Sequence, residues 1–327
     1  MLVLEGLQIG YGRKVLATLP PVTAVAAGEF VCLLGRNGQG KSTLLRTLGG
    51  FLAPVAGQVR LHGRPVTALR GVERARRIAV VLTERPQVGA LGVMELVEMG
   101  RQPHTGWAGV LSEEDRRIAV AALDQVGGAH LAARMVDSLS DGERQRVMIA
   151  RALAQQPDMM LLDEITAFLD LPSRVTIIDT LRRIAAEQGV AIVLSSHDLE
   201  LSLQTADRLW LLPGGGRFVD GAPEDVALSG AVGSAFDQEN LAFSLDSGRF
   251  ESAMAAGRCV HVEGDDVATL WLSRALRRCG YGLEGNPDRA AHRIVLAAPG
   301  RWRIDDAMEA STIAEALDVL SMRRETC

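Results

Sequence analysis

The run Gly35-Arg36-Asn37-Gly38-Gln39-Gly40-Lys41-Ser42 constrains this chain more than any other feature of its 327 residues, because it matches G-x-x-x-x-G-K-[ST] in full. It follows a short apolar run, Glu29 to Leu34, that reads as a strand, and it opens a stretch of helical spacing, Lys41 to Leu48. A strand, a glycine loop and a helix in that order form a phosphate cradle. The glycines let backbone N–H groups curl around an anion with no side chain in the way, and the helix N-terminus adds the positive end of its dipole. Lys41 can then reach the β and γ phosphates of a nucleotide, and the Ser42 hydroxyl can serve Mg2+. The competing explanation, a chance glycine-rich turn, does not account for the strand before and the helix after. Only Lys14 and Lys41 are lysines among 35 basic residues, so a lysine at this position stands out against an arginine-rich background.

The rest of the pattern sets the fold class. Leu2 to Ile9 alternates as a strand, and further buried strands are expected at Arg77 to Leu82, Met159 to Leu162 and Val190 to Ser195. Helical stretches, Glu113 to Val126, Gly142 to Ala154 and Arg174 to Gln188, separate them. Strands apolar on both faces and alternating with helices predict a mostly parallel α/β sheet. The glycine cluster Pro213 to Gly216 predicts a turn near the end of this domain, residues 1–222, and Glu224 to Leu245 is expected to be a weakly patterned connection. In residues 223–327 the order is strand (Arg258 to Val262), helix (Asp266 to Cys279), two strands (Ile294 to Ala298 and Arg301 to Ile304) and helix (Thr312 to Met322), which predicts a small C-terminal α/β domain.

Phosphoryl chemistry needs a carboxylate near the metal and a group to orient water. Met159-Met160-Leu161-Leu162-Asp163-Glu164 supplies both: Asp163, at the C-terminal end of a buried strand, can hold Mg2+, and Glu164 can polarise the attacking water. An acidic helix cap is the bland alternative. Upstream, Leu139-Ser140-Asp141-Gly142-Glu143-Arg144-Gln145-Arg146 precedes that strand, and a Ser and a Gly opening a helix can donate N–H groups to an anion.

With these three segments in order, residues 1 to 222 resemble the ATP-binding cassette (ABC) ATPases. The resemblance implies a P-loop NTPase cassette with a mixed, mostly parallel sheet and a helical subdomain, binding ATP with Mg2+. It implies nucleotide contacts from Gly35, Arg36, Asn37, Gly38, Gly40, Lys41, Ser42 and Thr43, with Tyr11 of Gly10-Tyr11-Gly12 stacked on adenine. Lys41, Glu164 and His197 of Ser195-Ser196-His197-Asp198 would be catalytic. Ser42 and Asp163 would serve the metal, and Glu84 of Leu82-Thr83-Glu84-Arg85-Pro86-Gln87 would stand where the family has a glutamine, Gln87 being a weaker substitute. Ser140 and Gly142 would complete the ATP site of a second copy, with Asp170 in the loop that links the two sites. The sequence departs from the family at Asp141, for a common glycine, and at Ile165, for a common proline; an aspartate tolerates a left-handed backbone at the first position better than most residues.

Gly100-Arg101-Gln102-Pro103-His104 resembles the G-R-x-P-H segment of ATPases that import iron–siderophore complexes, heme and cobalamin, the alternative being a helix end followed by a Pro/Gly loop. The implied protein is the ATPase subunit of such an importer, peripheral on the cytoplasmic face of the inner membrane. It would work with a polytopic permease and an extracellular substrate-binding protein. No stretch has the 18 or so apolar residues of a spanning helix, and the start lacks the pattern of a secretory signal, so a cytosolic protein is expected. Residues 225–327 hold 11 basic and 16 acidic side chains, which argues against nucleic acid as a partner of that segment. A non-transport ABC ATPase acting in repair or on the ribosome is the alternative, without the second cassette, coiled coil or basic arm usual there. A C-terminal domain that binds a regulatory ligand is another, and the same β-α-β-β-α order fits, in preference to it, a plain dimerisation or packing domain. His261, Cys259 and Cys279 are the residues a metal-sensor reading would use, and they lack ligand spacing.

Overall fold

The computed structural model describes residues 1–82, 91–107, 109–238, 241–252, 258–264, 266–298 and 300–322. By internal contacts the chain divides into two compact units. One is Met1–Asp237 with Phe243–Arg249, and the other is Gln238–Ala242 with Phe250–Cys327.

The first unit starts with three antiparallel strands, β1 (Leu2–Tyr11), β2 (Lys14–Thr18) and β3 (Val22–Val25), followed by β4 (Phe30–Gly35) and helix α1 (Lys41–Leu48). Next come β5 (Ala56–Leu61), β6 (Arg64–Pro65), α2 (Gly71–Arg77) and β7 (Ile78–Val81). A helical section follows, with α3 (Val93–Glu98), the 3-10 turn Met99–His104, α4 (Glu113–Gln125) and α5 (Asp141–Ala154). The unit continues with β8 (Met159–Asp163), α6 (Leu171–Gln188), β9 (Ala191–Ser195), α7 (Leu199–Thr205), β10 (Arg208–Gly214) and β11 (Arg217–Gly221).

These strands make two sheets. One is antiparallel, in the order β2-β1-β5-β6 with β3 also on β1, and the other has the order β11-β10-β4-β9-β8-β7. The second is parallel except for its edge strand β11. Helix α1 lies between them: Leu44, Leu45 and Leu48 share one core with Leu2, Leu4, Leu7 and Ile9 of β1, and with Val31, Leu33, Leu161 and Val193 of the parallel strands. The intervening residues Cys32, Leu34, Leu162 and Leu194 are equally buried, with α6 packed against β4 and β9. Burial on both faces explains why these strands read as continuous apolar runs rather than alternating ones, and each fully buried leucine contributes about 1.5–3 kcal/mol.

The helix boundaries follow local chemistry. Ser112 and Ser140 cap α4 and α5 with reciprocal bonds to Asp115 and Glu143, and Asp170 caps α6 ahead of Pro172. The expected connection over Glu224 to Leu245 is instead structured. Its described residues hold most of α8 (Pro223–Leu228), α9 (Ala231–Phe236) and β12 (Leu241–Ser244), which pairs with the following β13 (Arg249–Ser252) in a hairpin within which the division between the units falls. Six-residue helices are too short to show a helical period; Val226, Val232 and Ala235 are held by burial.

The second unit contains β14 (Cys259–Glu263), α10 (Val267–Arg278), β15 (Gly282–Leu283), β16 (His292–Ala298), β17 (Arg301–Ile304), β18 (Met308–Ala310) and α11 (Ile313–Met322). Its sheet runs β15-β14-β16-β17-β18. The expected strand and helix order holds, and two edge strands of two and three residues are added. Strands that short leave no pattern. Val260, Leu272, Leu276, Ile294, Trp302, Ile304, Ala316 and Leu320 form its core. Among the described residues no helix is long and apolar enough to cross a membrane.

Candidate active site

Strand β4 delivers its last residue, Gly35, against β10: a Cβ added to Gly35 would sit 2.9 Å from the Leu212 carbonyl oxygen. Gly38 and Gly40 adopt φ of 80° and 105°, a region open to glycine, so the loop turns back and starts α1 without a side-chain cap. With no cap and no acidic residue in the first turn, the opening N–H groups of α1 are donors left for an anion. Lys41 is 5% exposed, donates from Nζ to the Gly35 carbonyl oxygen at 2.9 Å and lies 3.5 Å from Glu164 Oε1. Burial pulls its pKa below the ordinary lysine value, against the opposing pull of Glu164 and Asp163. Arg36, Asn37 and Gly38 are exposed on the loop.

The carboxylates arrive on β8, whose register places Asp163 beside Ser195 at the end of β9. Ser195, fully buried, donates from Oγ to Asp163 Oδ1 at 2.5 Å, and the same oxygen accepts the Glu164 N–H at 3.0 Å. One hydroxyl therefore holds the Asp163 carboxylate and the Glu164 backbone. Sequence reasoning missed Ser195, since its only local mark is a place two residues before His197. Glu164 has φ of 51°, a left-handed conformation that costs a non-glycine residue roughly 1–2 kcal/mol. It is held there by a second bond from its N–H to the Ser195 carbonyl oxygen at 3.2 Å and by its own carbonyl accepting the Ala167 N–H at 3.1 Å. Backbone strain of this kind clusters at functional sites. His197 Nε2 stands 2.6 Å from Glu164 Oε1, so Lys41, Glu164 and His197 converge on one point.

Ser42 and Asp163 line one cavity of about 200 Å³ with Leu45, Arg46, Phe51, Val80 and Leu82. A hydroxyl and a carboxylate are hard oxygen donors, and together they fit Mg2+. Glu84 and Gln87 lie outside the described residues, in a segment that begins after Leu82. Tyr11 is half-exposed, and its hydroxyl is 3.2 Å from Thr43 Oγ1 in the first turn of α1.

Ser140 and Gly142 open α5, where Ser140 Oγ accepts the Glu143 N–H at 3.3 Å. A Cβ added to Gly142 would lie 3.4 Å from Ser173 Oγ, in the first turn of α6 that Asp170 caps, so the two helix starts are neighbours. Asp141 sits inside the right-handed first turn of α5, and the tolerance of a left-handed backbone expected of it is not needed. In the second unit His261 Nδ1 bonds the Glu284 carbonyl at 2.9 Å, and no group of three metal-ligating side chains occurs among the described residues.

Two family models match the chain, the ABC transporter over residues 22–167 and the iron ABC transporter C-terminal domain over residues 256–321. The phosphonates import ATP-binding protein of Rhodopseudomonas palustris is 41% identical over 233 residues, 69% of this chain and 86% of that protein. The cobalamin import ATP-binding protein of Halobacterium salinarum is 40% identical over 273 residues, 81% of this chain and 68% of that protein. Among solved structures, the dimeric structure of a bacterial ABC transporter cassette superposes with a TM-score of 0.58 at 26% identity, covering 68% of this chain and 99% of that one.

Proposed function

The chain belongs to the ABC transporter ATP-binding family, whose cassettes hydrolyse ATP, and from that premise we propose that it is the ATPase subunit of an importer for an iron(III)–siderophore or a related chelate such as heme or cobalamin. It works as two copies on the cytoplasmic face of the membrane, with a separate polytopic permease and an extracellular binding protein. The observation that carries the cargo reading is the match of residues 256–321 to the C-terminal domain of iron ABC transporters. The phosphonates relative supports import but covers less of the chain than the cobalamin relative does.

In this reading the loop from Gly35 to Lys41 and the first N–H groups of α1 bind the phosphates, Thr43 and Tyr11 seat the base, and Lys41 neutralises the β and γ oxygens. Ser42 and Asp163 hold Mg2+, with Glu84 assigned to it on sequence position alone. The bound ion supplies charge neutralisation of the phosphate oxygens. Glu164 orients the attacking water and takes its proton while His197 donates to the γ-phosphate, the two groups already within 2.6 Å of each other. Ser140 and Gly142 complete the site of the second copy, and Asp170 joins the two sites.

The test is to purify the tagged Glu164→Gln chain from gently solubilised membranes in ATP and identify what accompanies it by mass spectrometry. A permease encoded with a chelate-binding protein is expected. Recovery of ribosomes or soluble proteins alone would overturn the importer reading.

A further inference from the structure

The segment Gly100-Arg101-Gln102-Pro103-His104 is no surface loop. Gly100 packs so closely on α5 that a Cβ there would lie 2.2 Å from the Arg151 carbonyl oxygen and 3.0 Å from the Ala154 Cβ. Arg101, 4% exposed, spends its guanidinium on three partners: Nε donates to Asp115 Oδ1 at 2.9 Å, and Nη1 to the Ala154 carbonyl at 2.7 Å and to Gln156 Oε1 at 2.8 Å. His104 Nε2 donates to the Gln155 carbonyl at 2.9 Å. Arg76 Nε donates to the Pro103 carbonyl at 2.8 Å, so the segment is tied on its far side to α2 as well.

The carbonyls of Ala154 and Gln155 belong to the end of α5, where the last turn has no partners of its own and favours cationic or N–H donors. Asp115, held by Arg101, is also the residue that closes the start of α4 through Ser112, at 2.6 Å to its Oγ and 3.0 Å to its N–H. One buried arginine therefore ties the end of α3, the start of α4 and the end of α5. Helix α5 has 14 residues and begins directly after Ser140. It is a rod of about 20 Å, with the clamp at one end and Ser140 and Gly142 at the other.

We propose that the Gly100–His104 segment is a clamp that sets the axial position and tilt of α5, which makes Arg101 and His104 positioning residues for ATP turnover. A rod carries a displacement of its C-terminal end to its N-terminal end. The clamp thus places Ser140 and Gly142 for the partner's nucleotide without touching it. This inference rests on the function proposed above, in which those two residues complete the site of a second copy. It separates two kinetic terms. Nucleotide affinity of the single chain depends on the glycine loop and Tyr11 and stays as it is, while closure of the pair and turnover depend on the clamp.

The experiment uses the full chain. Arg101→Met is expected to lower kcat at least tenfold with the KM for ATP within twofold of the parent, and to weaken ATP-driven pairing about tenfold when placed in the Glu164→Gln chain, read by analytical ultracentrifugation. His104→Leu is expected to lower kcat several-fold, whereas His104→Gln, which keeps an N–H donor for the Gln155 carbonyl, restores it. The rescue separates positioning from bulk stability and decides the matter if Arg101→Met does not fold. Parent-like kcat and pairing in folded Arg101→Met, or equal kcat in the two His104 variants, would overturn the clamp. Failure of the Glu164→Gln chain to pair with ATP would instead strike the proposed function.

Discussion

The two units of this protein bury polar groups in different ways. Among the described residues of the second unit, the buried Thr269 and His292 each find a partner within 13 residues in sequence. Thr269 donates to Asp266, three residues back, and His292 bonds Asp305, 13 residues on. The cassette buries groups of that local kind too, Thr47, Ser202 and Thr205, each bonded to a carbonyl four residues back, but its buried Lys41, Arg101 and Ser195 also have partners from distant strands and helices: Glu164 for Lys41, Asp163 across 32 residues for Ser195, and the carbonyl of Ala154 across 53 for Arg101. A polar group satisfied by its own turn or by the adjoining hairpin serves folding. Polar groups brought together from far apart, at a cost in desolvation, mark a site whose arrangement has a use.

The strongest way to break this comparison is Glu164→Gln, which removes the carboxylate between Lys41 and His197. Phosphate release should fall at least 100-fold, about 3 kcal/mol of transition-state stabilisation, with ATP binding unchanged by equilibrium dialysis. Normal turnover would remove the functional meaning of the convergence. Next is Trp302→Ala in the second unit, where a side chain 2% exposed lies in the core. It should destabilise that unit by about 3–5 kcal/mol, seen as a lowered calorimetric transition, with ATPase rate within twofold. A parallel loss of turnover would show that the second unit controls the first and would favour regulation by a ligand.

A smaller effect sharpens the picture within the cassette. Tyr11→Ala should weaken ATP binding about fivefold, close to 1 kcal/mol for one aromatic contact, while Tyr11→Phe, which loses only the Thr43 bond, should change it less than twofold by fluorescent-nucleotide titration. The smallest effect is in pH. Hydrogen bonds from Ser112 and the guanidinium of Arg101 hold the Asp115 carboxyl down to about 2. A depressed carboxyl stabilises the fold above its unfolded value near 4 and loses that contribution as pH falls toward 2. His104 is shifted below its ordinary value, chiefly by burial, so its contribution has the same sign: stability declines as pH falls through about 6.5. Thermal unfolding of the cassette between pH 7 and 3 should therefore show two gentle losses, the upper one absent in His104→Gln.

Much of the cassette was legible because its chemistry lies in short contiguous segments at strand ends. The glycine loop, Asp163-Glu164 and His197 each follow a strand apolar enough to be recognised, and the structure brings Lys41, Glu164 and His197 together. The helices capped by Ser140 and Asp170 start where side-chain chemistry starts them. The two short helices after Gly221 and the two edge strands of the second unit were not legible, since elements of two to six residues carry no period.

The sequence by itself determined the order of elements, the phosphate loop and the residue types at the strand ends, because these depend on local backbone chemistry. Only the tertiary structure decided that Ser195 holds the Asp163 carboxylate and the Glu164 backbone, that Glu164 sits in a left-handed turn, and that a segment resembling a family hallmark packs on the end of α5. Those facts depend on strand register and helix packing, which are set by burial over the whole unit and leave no mark within any one segment.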